Sequence, residues 1–258
     1  MKPALGYAWG EPLTSWQQIP TGDAVRTLEN ELICSKLKFS FGHHLIRVGA
    51  LSSELNCSDS LIEHQINVLS HPNDISKAGI IAEYDELPLQ NNSVDLALLN
   101  HVLEFSVDPH QVLREAHRVL LPSGTLILTL FNPWSLLILA KLWPFKSKPV
   151  FEKSRLFSIA RVKDWLHLLG FELTDVQYAC YSSLVSEKAN WQKQGRFNRF
   201  MHWLLPKGGS VCVITAKKRE WPLTPIRPRL RIRTSFSPAI RSASVNSVAN
   251  KHSQLGTK

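Results

Sequence analysis

Residues 82–130 read AEYDELPLQNNSVDLALLNHVLEFSVDPHQVLREAHRVLLPSGTLILTL, and they contain the clearest secondary-structure pattern in the chain. Its apolar run Leu96–Leu99 is typical of a buried strand. Asp108-Pro109 supplies an N-cap and a first helical residue, and apolar residues then recur at helical spacing. After the stop at 122–124, the run 125–130 predicts a second buried strand. Strand, helix and strand joined by short turns form a right-handed crossover, which predicts a parallel sheet.

Hydrophobic periodicity predicts further elements on both sides of this stretch. The predicted strands are 44–49, 65–69, 79–82, 171–180 and 209–216, and the predicted helices are 21–37, 134–142 and 158–170.

Short motifs recur through the central stretch. They are Leu87-Pro88-Leu89, Ser93-Val94-Asp95, Asp108-Pro109, Leu113-Arg114-Glu115, Arg118-Val119-Leu120 and Pro122-Ser123-Gly124. In order and spacing they resemble the class I S-adenosylmethionine-dependent methyltransferases, in particular the small-molecule branch called methyltransferase type 11. The resemblance implies an α/β, Rossmann-like fold: a seven-stranded, mostly parallel sheet, helices on both faces and an antiparallel edge hairpin. An ordinary strand–helix–strand unit that carries these motifs by coincidence is the alternative.

The cofactor loop departs from the pattern of that family. Gly49-Ala50-Leu51-Ser52-Ser53 keeps the first of the family's three glycines, so we expect Leu51 and Ser53 to put side chains into the cofactor space. Arg47 stands where the family has a carboxylate. Ser70 ends the second strand, where an acidic residue would grip both ribose hydroxyls, and a serine offers only a single uncharged hydrogen bond.

The remaining site residues also follow from the resemblance, which implies S-adenosylmethionine as cofactor and a small-molecule methyl acceptor. Glu83 falls near the expected adenine amino group, and Tyr84 would supply a backbone N–H, although a solvated acidic turn is the alternative. The implied cofactor contacts are Gly49, Ala50, Leu51, Ser70, Glu83, Tyr84 and Asn100. His101 would orient or deprotonate the acceptor, and a purely structural turn histidine is the other interpretation.

Length and charge predict one domain with two appendages. A chain of 258 residues with 44% hydrophobic content can bury a single-domain core. We expect an N-terminal arm over 1–20, a methyltransferase-like domain over 21–220 with an aromatic insertion at 181–207, and a disordered tail over 221–258. Ten Lys or Arg residues and one Glu between 217 and 258 account for the whole formal charge of +9.

The basic tail predicts weak contact with RNA or an anionic surface, and a solubilising tail without a partner is equally compatible with its composition. Four scattered cysteines without CxxC spacing predict reduced thiols and a cytoplasmic location, with no metal site. The most apolar window, 131–145, is interrupted by Pro133, Lys141 and Pro144 and is too short to span a bilayer. Oligomeric state and acceptor are not determined by the sequence.

Three functions remain open at this point: an active methyltransferase, a catalytically inactive methyltransferase-like binding or scaffold protein, and an RNA-associated protein recruited by its tail. We favour the first. A sulfonium methyl is already activated, so the enzyme needs mainly an aligned nucleophile and a site without water.

Overall fold

The computed structural model describes residues 13–19, 22–58, 60–70, 79–135, 154–181, 203 and 205–220. The chain divides after Glu220 into two units, and every described residue belongs to the first. The predicted tail, nearly all of the insertion at 181–207 and most of the predicted helix at 134–142 lie outside the described residues.

Seven strands form one sheet in the order β3-β2-β1-β4-β5-β7-β6. Their bounds are β1 His44–Val48, β2 His64–Leu69, β3 Ile80–Ile81, β4 Val94–Asn100, β5 Leu120–Phe131, β6 Phe171–Ala179 and β7 Val211–Lys218. Strands β1 to β5 pair in parallel, whereas β7 runs antiparallel to both β5 and β6. The predicted fold class is confirmed.

Four α-helices are described: α1 Gly22–Leu37, α2 Ala50–Ser53, α3 Pro109–Val119 and α4 Ile159–Leu168. Asp108 caps α3 as predicted, because its Oδ1 accepts hydrogen bonds from the backbone N–H groups of His110 and Gln111. The Ser158 hydroxyl caps α4 by accepting from the Arg161 N–H at 3.3 Å. Short 3₁₀ turns lie at Trp16–Gln18 and Leu103–Phe105.

Apolar clusters fill both faces of the sheet. Helices α3 and α4 pack on one face with Ala97 and Leu99, whereas α1, α2 and residues 13–19 of the arm pack on the other with Leu96 and Leu98. Because successive residues of β4 enter opposite clusters, the strand is buried on both sides, which explains its unbroken apolar run. No helix in the described ranges is long and apolar enough to cross a bilayer.

Strand β5 begins earlier than the sequence pattern predicts. Leu120 already pairs with Val94, and the next pair is Leu96 with Thr125, so the expected turn at 122–124 is an irregularity inside the ladder. A Cβ on Gly124 would lie 2.8 Å from the Leu121 carbonyl oxygen, which shows how tightly the chain folds there.

Candidate active site

A cleft of about 200 Å³ opens at the carboxyl ends of β1, β2 and β4, where open parallel sheets bind ligands. Its lining includes all eight residues singled out from the sequence, namely Gly49, Ala50, Leu51, Ser70, Glu83, Tyr84, Asn100 and His101. Leu13 of the arm and Phe105 of the second 3₁₀ turn also line it. Tertiary structure therefore brings the predicted residues together, while the role of each one stays a prediction.

Gly49 forms the turn between β1 and α2 in a conformation that other residues rarely adopt. Its φ is +95°, and a Cβ at this position would approach Val102 Cγ2 to 2.8 Å. Its N–H donates to the Val68 carbonyl at 3.0 Å, which holds the turn against β2. The glycine that the chain retains is the one at which the backbone requires it.

The other glycine replacements leave the cleft open. Leu51 is 1% exposed and belongs to the apolar cluster of Trp16 and Leu55, so its side chain packs into the core beneath the loop. Trp16 Nε1 donates to the Leu51 carbonyl at 3.3 Å. Ser53 Oγ turns back to donate to the Ala50 carbonyl at 2.7 Å. The expectation that Ser53 would occupy the cofactor space is therefore corrected, because Ser53 is not among the residues that line the cleft. Leu51 does line the cleft, but it is also a member of the apolar core cluster.

Ser52 joins the two turns that flank the cleft. Its buried hydroxyl donates to the Val48 carbonyl at 2.6 Å and accepts from the Asn100 N–H at 3.1 Å. Sequence reasoning missed this residue. The sequence signal that could have indicated Ser52 is its hydroxyl, which lies in a loop that lacks the family's other glycines.

Two neutral groups are hydrogen-bonded to each other on the side of the cleft where β2 and β3 end. The Ser70 N–H donates to the Tyr84 hydroxyl at 3.2 Å and so links the end of β2 to the turn after β3. Glu83 is exposed at the rim, where its carboxylate can accept a hydrogen bond from an exocyclic amine. Arg47 has another use, because its guanidinium donates to the Leu55 carbonyl at 3.3 Å.

Asn100 ends β4 and lines the cleft, and its side-chain amide has no hydrogen-bond partner among the described residues. The residue is 2% exposed, so both Oδ1 and Nδ2 are buried. Leaving a buried polar atom unpaired costs about 1–3 kcal/mol. An unpaired amide in the wall of a cleft indicates a position where a ligand supplies the missing partners.

His101 follows directly and lies between two buried glutamates. Its Nε2 is 2.8 Å from Glu29 Oε1, and its Nδ1 is 3.1 Å from Glu104 Oε1, which also accepts from the Phe131 N–H at 2.8 Å. An ionised carboxylate only accepts hydrogen bonds, so a protonated ring can donate to both glutamates at once. Because the pKa of His101 is raised to about 9, the ring is an imidazolium at neutral pH. The backbone φ of His101 is +51°, which is unusual for a residue with a Cβ.

The surroundings of the His101 ring agree with this charge. Burial by itself lowers the pKa of His101, but the carboxylates of Glu29 and Glu104 outweigh it and raise the pKa to about 9. The ring stacks on Phe131 with centroids 3.8 Å apart and meets the edge of Trp16 at 5.8 Å. In this arrangement both ring nitrogens of His101 already contact a glutamate, so neither is available to accept a proton. The role of His101 in deprotonating an acceptor stays a prediction.

Glu29 and Glu104 were not singled out from the sequence, although Glu29 left a readable signal. It lies four residues after Val25 and four before Ile33, on the buried stripe of α1, where an isolated carboxylate needs a partner. Glu104 lies in a 3₁₀ turn without periodicity, so nothing in the sequence pattern distinguished it.

Comparison with known proteins gives the family. The family model described as a methyltransferase domain matches residues 60–128. YafS of Escherichia coli K12, described as an uncharacterized protein, is 37% identical over 210 residues, which cover 81% of this chain and 82% of YafS. The chain belongs to the class I S-adenosylmethionine-dependent methyltransferase family. A methyltransferase of this kind from Thermotoga maritima has the same fold, with a TM-score of 0.51 and 19% identity over 79% of this chain and 99% of that chain.

Membership in this methyltransferase family establishes the fold more firmly than the reaction. The [4+2]-cyclase SpnF also has this fold, with a TM-score of 0.53 and 17% identity over 85% of this chain and 89% of its own. A cyclase on the same scaffold shows that function must be argued from the residues of the cleft.

Proposed function

We propose that this methyltransferase-family chain transfers a methyl group from S-adenosylmethionine to a small-molecule acceptor in the cleft between Gly49 and Asn100. The observation that carries the proposal is the Asn100 amide, which lines the cleft, is buried and has no partner in the described structure. A cofactor with an amino and a carboxylate group can satisfy both atoms of such an amide.

The residues present fit the cofactor. The backbone of Gly49–Leu51 would hold its methionine part, while Glu83 and the Tyr84 N–H would hold the adenine. Ser70 offers one hydrogen bond to the ribose, which is weaker than the paired, charged contact of a carboxylate. When bound, S-adenosylmethionine supplies an activated methyl group. The side chains of this protein would orient the acceptor and exclude water.

The Glu29–His101–Glu104 cluster would fix the wall of the cleft. It anchors the backbone directly after Asn100, so the amide is held in one place before a ligand arrives. An acceptor that must lose its proton could use His101 only if one glutamate released the ring.

Calorimetric titration with S-adenosylhomocysteine tests the proposal most directly, with Asn100→Leu as the informative variant. Leucine keeps the approximate shape and removes the unpaired amide, so we expect the free energy of unfolding to rise by about 1–3 kcal/mol. We expect the affinity for S-adenosylhomocysteine to fall about tenfold or more, because hydrogen bonds to charged groups are worth about 1.5–3 kcal/mol.

Thr129→Val is the matched control. Thr129 pairs with Asn100 across β4 and β5, and its buried Oγ1 also has no partner among the described residues, but it is not among the residues lining the cleft. We expect it to stabilise the fold without changing affinity. Equal affinity of the Asn100→Leu and Thr129→Val chains for S-adenosylhomocysteine would show that the Asn100 amide does not contact the cofactor.

Wild-type protein that gives no heat with millimolar S-adenosylhomocysteine would instead support an inactive methyltransferase-like scaffold, in agreement with the changes at Leu51, Ser53 and Ser70. An RNA-associated protein recruited by residues 221–258 would show RNA affinity that falls steeply with salt and disappears when the tail is removed. We also propose a cytoplasmic location, supported by Cys34, Cys57, Cys180 and Cys212, none of which forms a disulfide in the structure.

A further inference from the structure

A second depression, which we call the arginine groove, lies beside the cleft between the first turns of α3 and α4. Arg155, Arg161, His110, Phe157 and Trp165 line it, and its cavity volume is about 440 Å³. Small-molecule sites are typically ~300–1,000 Å³, so the groove can hold a ligand group of its own.

The arginine groove adjoins the cleft. Val107 and Asp108, which connect the second 3₁₀ turn to α3, line both of them. A molecule that reacts in the cleft can therefore extend into the groove across these two residues.

The side chains of the arginine groove bring positive charge to one place. The residues lining the groove include two guanidinium groups, those of Arg155 and Arg161, and one carboxylate, that of Asp108. The Asp108 carboxylate accepts hydrogen bonds from the backbone N–H groups of His110 and Gln111 at the start of α3. The Arg161 side chain forms no ion pair with any described residue. Because Asp108 and Ser158 already cap the two helices, the arginine side chains, and not the helix ends, are the donors that face the groove.

Aromatic rings also line the groove, beside this charge. The Trp165 ring lies 4.0 Å from the His110 ring and 5.1 Å from the Phe157 ring, measured between centroids. The Arg155 guanidinium carbon is 5.6 Å from the centroid of Phe157. Such rings pack against a planar or apolar body while the guanidinium groups hold an acidic group at its end.

We propose that the arginine groove binds the acidic group, a carboxylate or a phosphate, of the methyl acceptor, whose planar or apolar body packs on Trp165. This inference rests on the proposed function for the identity of the ligand as an acceptor. It assigns the acceptor to the class of organic acids, and it assigns Arg161 and Arg155 as the residues that select for that class.

Nuclear magnetic resonance titration of the full chain with phenyl phosphate, and separately with benzoate, tests the inference. The Trp165 indole N–H signal is assigned with a Trp165→Phe variant. We expect a saturable shift of that signal with at least one probe, and the preferred probe distinguishes a phosphate from a carboxylate. We expect Arg161→Ala to weaken binding about tenfold or more, because a charge-assisted hydrogen bond is roughly twice as strong as a neutral one.

Arg114→Ala is the matched control, since Arg114 is an exposed arginine on α3 that contacts Gln111 and does not line the groove. Its affinity for the probe should equal that of the wild type. No saturable shift with either probe, or equal affinity in the Arg161→Ala and Arg114→Ala chains, overturns the assignment.

Titration of the same variants with S-adenosylhomocysteine separates this inference from the proposed function. Arg161→Ala should bind S-adenosylhomocysteine as the wild type does. Loss of probe binding with retained cofactor heat is the expected result. If the wild-type protein bound a probe but gave no heat with S-adenosylhomocysteine, the groove would still be an acid-binding site. Its assignment to a methyl acceptor would then be refuted.

Discussion

The two turns that flank the cleft are held by different forces. The Gly49 turn has a positive φ and is held by neutral hydrogen bonds of Ser52. It is also held by apolar packing of the arm, in which the fully buried Trp16 contacts Leu51. The Asn100 turn relies on charge, because an imidazolium is enclosed by two carboxylates. The first turn has lost most of the glycines of its family, and the second lies in the stretch that matches the family. Core packing can therefore keep the loop after β1 in place although only one of the family's three glycines remains.

Removing Trp16 should give the largest effect, and it acts on the Gly49 turn. Trp16→Ala leaves a cavity beneath Leu51 and deletes the Nε1 hydrogen bond, so we expect a loss of about 3–5 kcal/mol in the free energy of unfolding. Denaturant titration measures this loss. Trp134→Ala is the control, because Trp134 is 79% exposed and its removal should change stability by about 0.5 kcal/mol or less. Similar losses in both variants would show that the arm does not support the turn.

Raising the pH tests the Asn100 turn, where charge dominates. His101 has a folded-state pKa of about 9, above its ordinary value of 6.5, so its protonation stabilises the fold fully below pH 6.5. That contribution is lost as the pH rises to 9 and amounts to about 3 kcal/mol. Denaturant titrations at pH 6 and pH 9 should show the decrease.

The His101→Gln chain is the reference for this pH experiment. Burial raises the pKa of the Cys57 thiol, and it raises that of Cys212 to about 12, so both thiols also reduce stability at alkaline pH. The difference in slope between wild type and His101→Gln isolates His101. Parallel slopes would mean that the ring is neutral in the folded protein.

Ser52→Ala should give the smallest effect and sharpen the comparison, because Ser52 bridges the two turns. The change leaves the buried Asn100 N–H without its partner, which costs about 1–3 kcal/mol. Ser53→Ala is the neighbouring control, since the Ser53 hydroxyl donates to the Ala50 carbonyl in its own short helix and forms no other hydrogen bond within the described part of the chain. We expect its cost to be within about 0.5 kcal/mol. Equal costs, measured by thermal unfolding, would show that the Ser52 bridge contributes nothing.

The arrangement of the cleft was predictable because parallel strands deliver their carboxyl ends to one edge. Knowing where β1, β2 and β4 end was enough to bring Gly49, Ser70 and Asn100 together. The packing of Leu51 in the core was not predictable, since it depends on contact with Trp16, which lies 35 residues earlier in the chain. Sequence spacing carries no information about such a contact.

Period, capping and turn chemistry are local, so they were sufficient to predict the strand–helix–strand core and the parallel sheet from the sequence. The antiparallel edge and the residues that line the cleft were predicted from the resemblance to the methyltransferase family. Only the tertiary structure decided that His101 is a buried imidazolium, because Glu29 lies 72 residues before it in the chain. It also decided that Arg155 and Arg161 share one groove with Trp165. Charge pairing and concavity arise between elements, so they exist only once the helices have packed on the sheet.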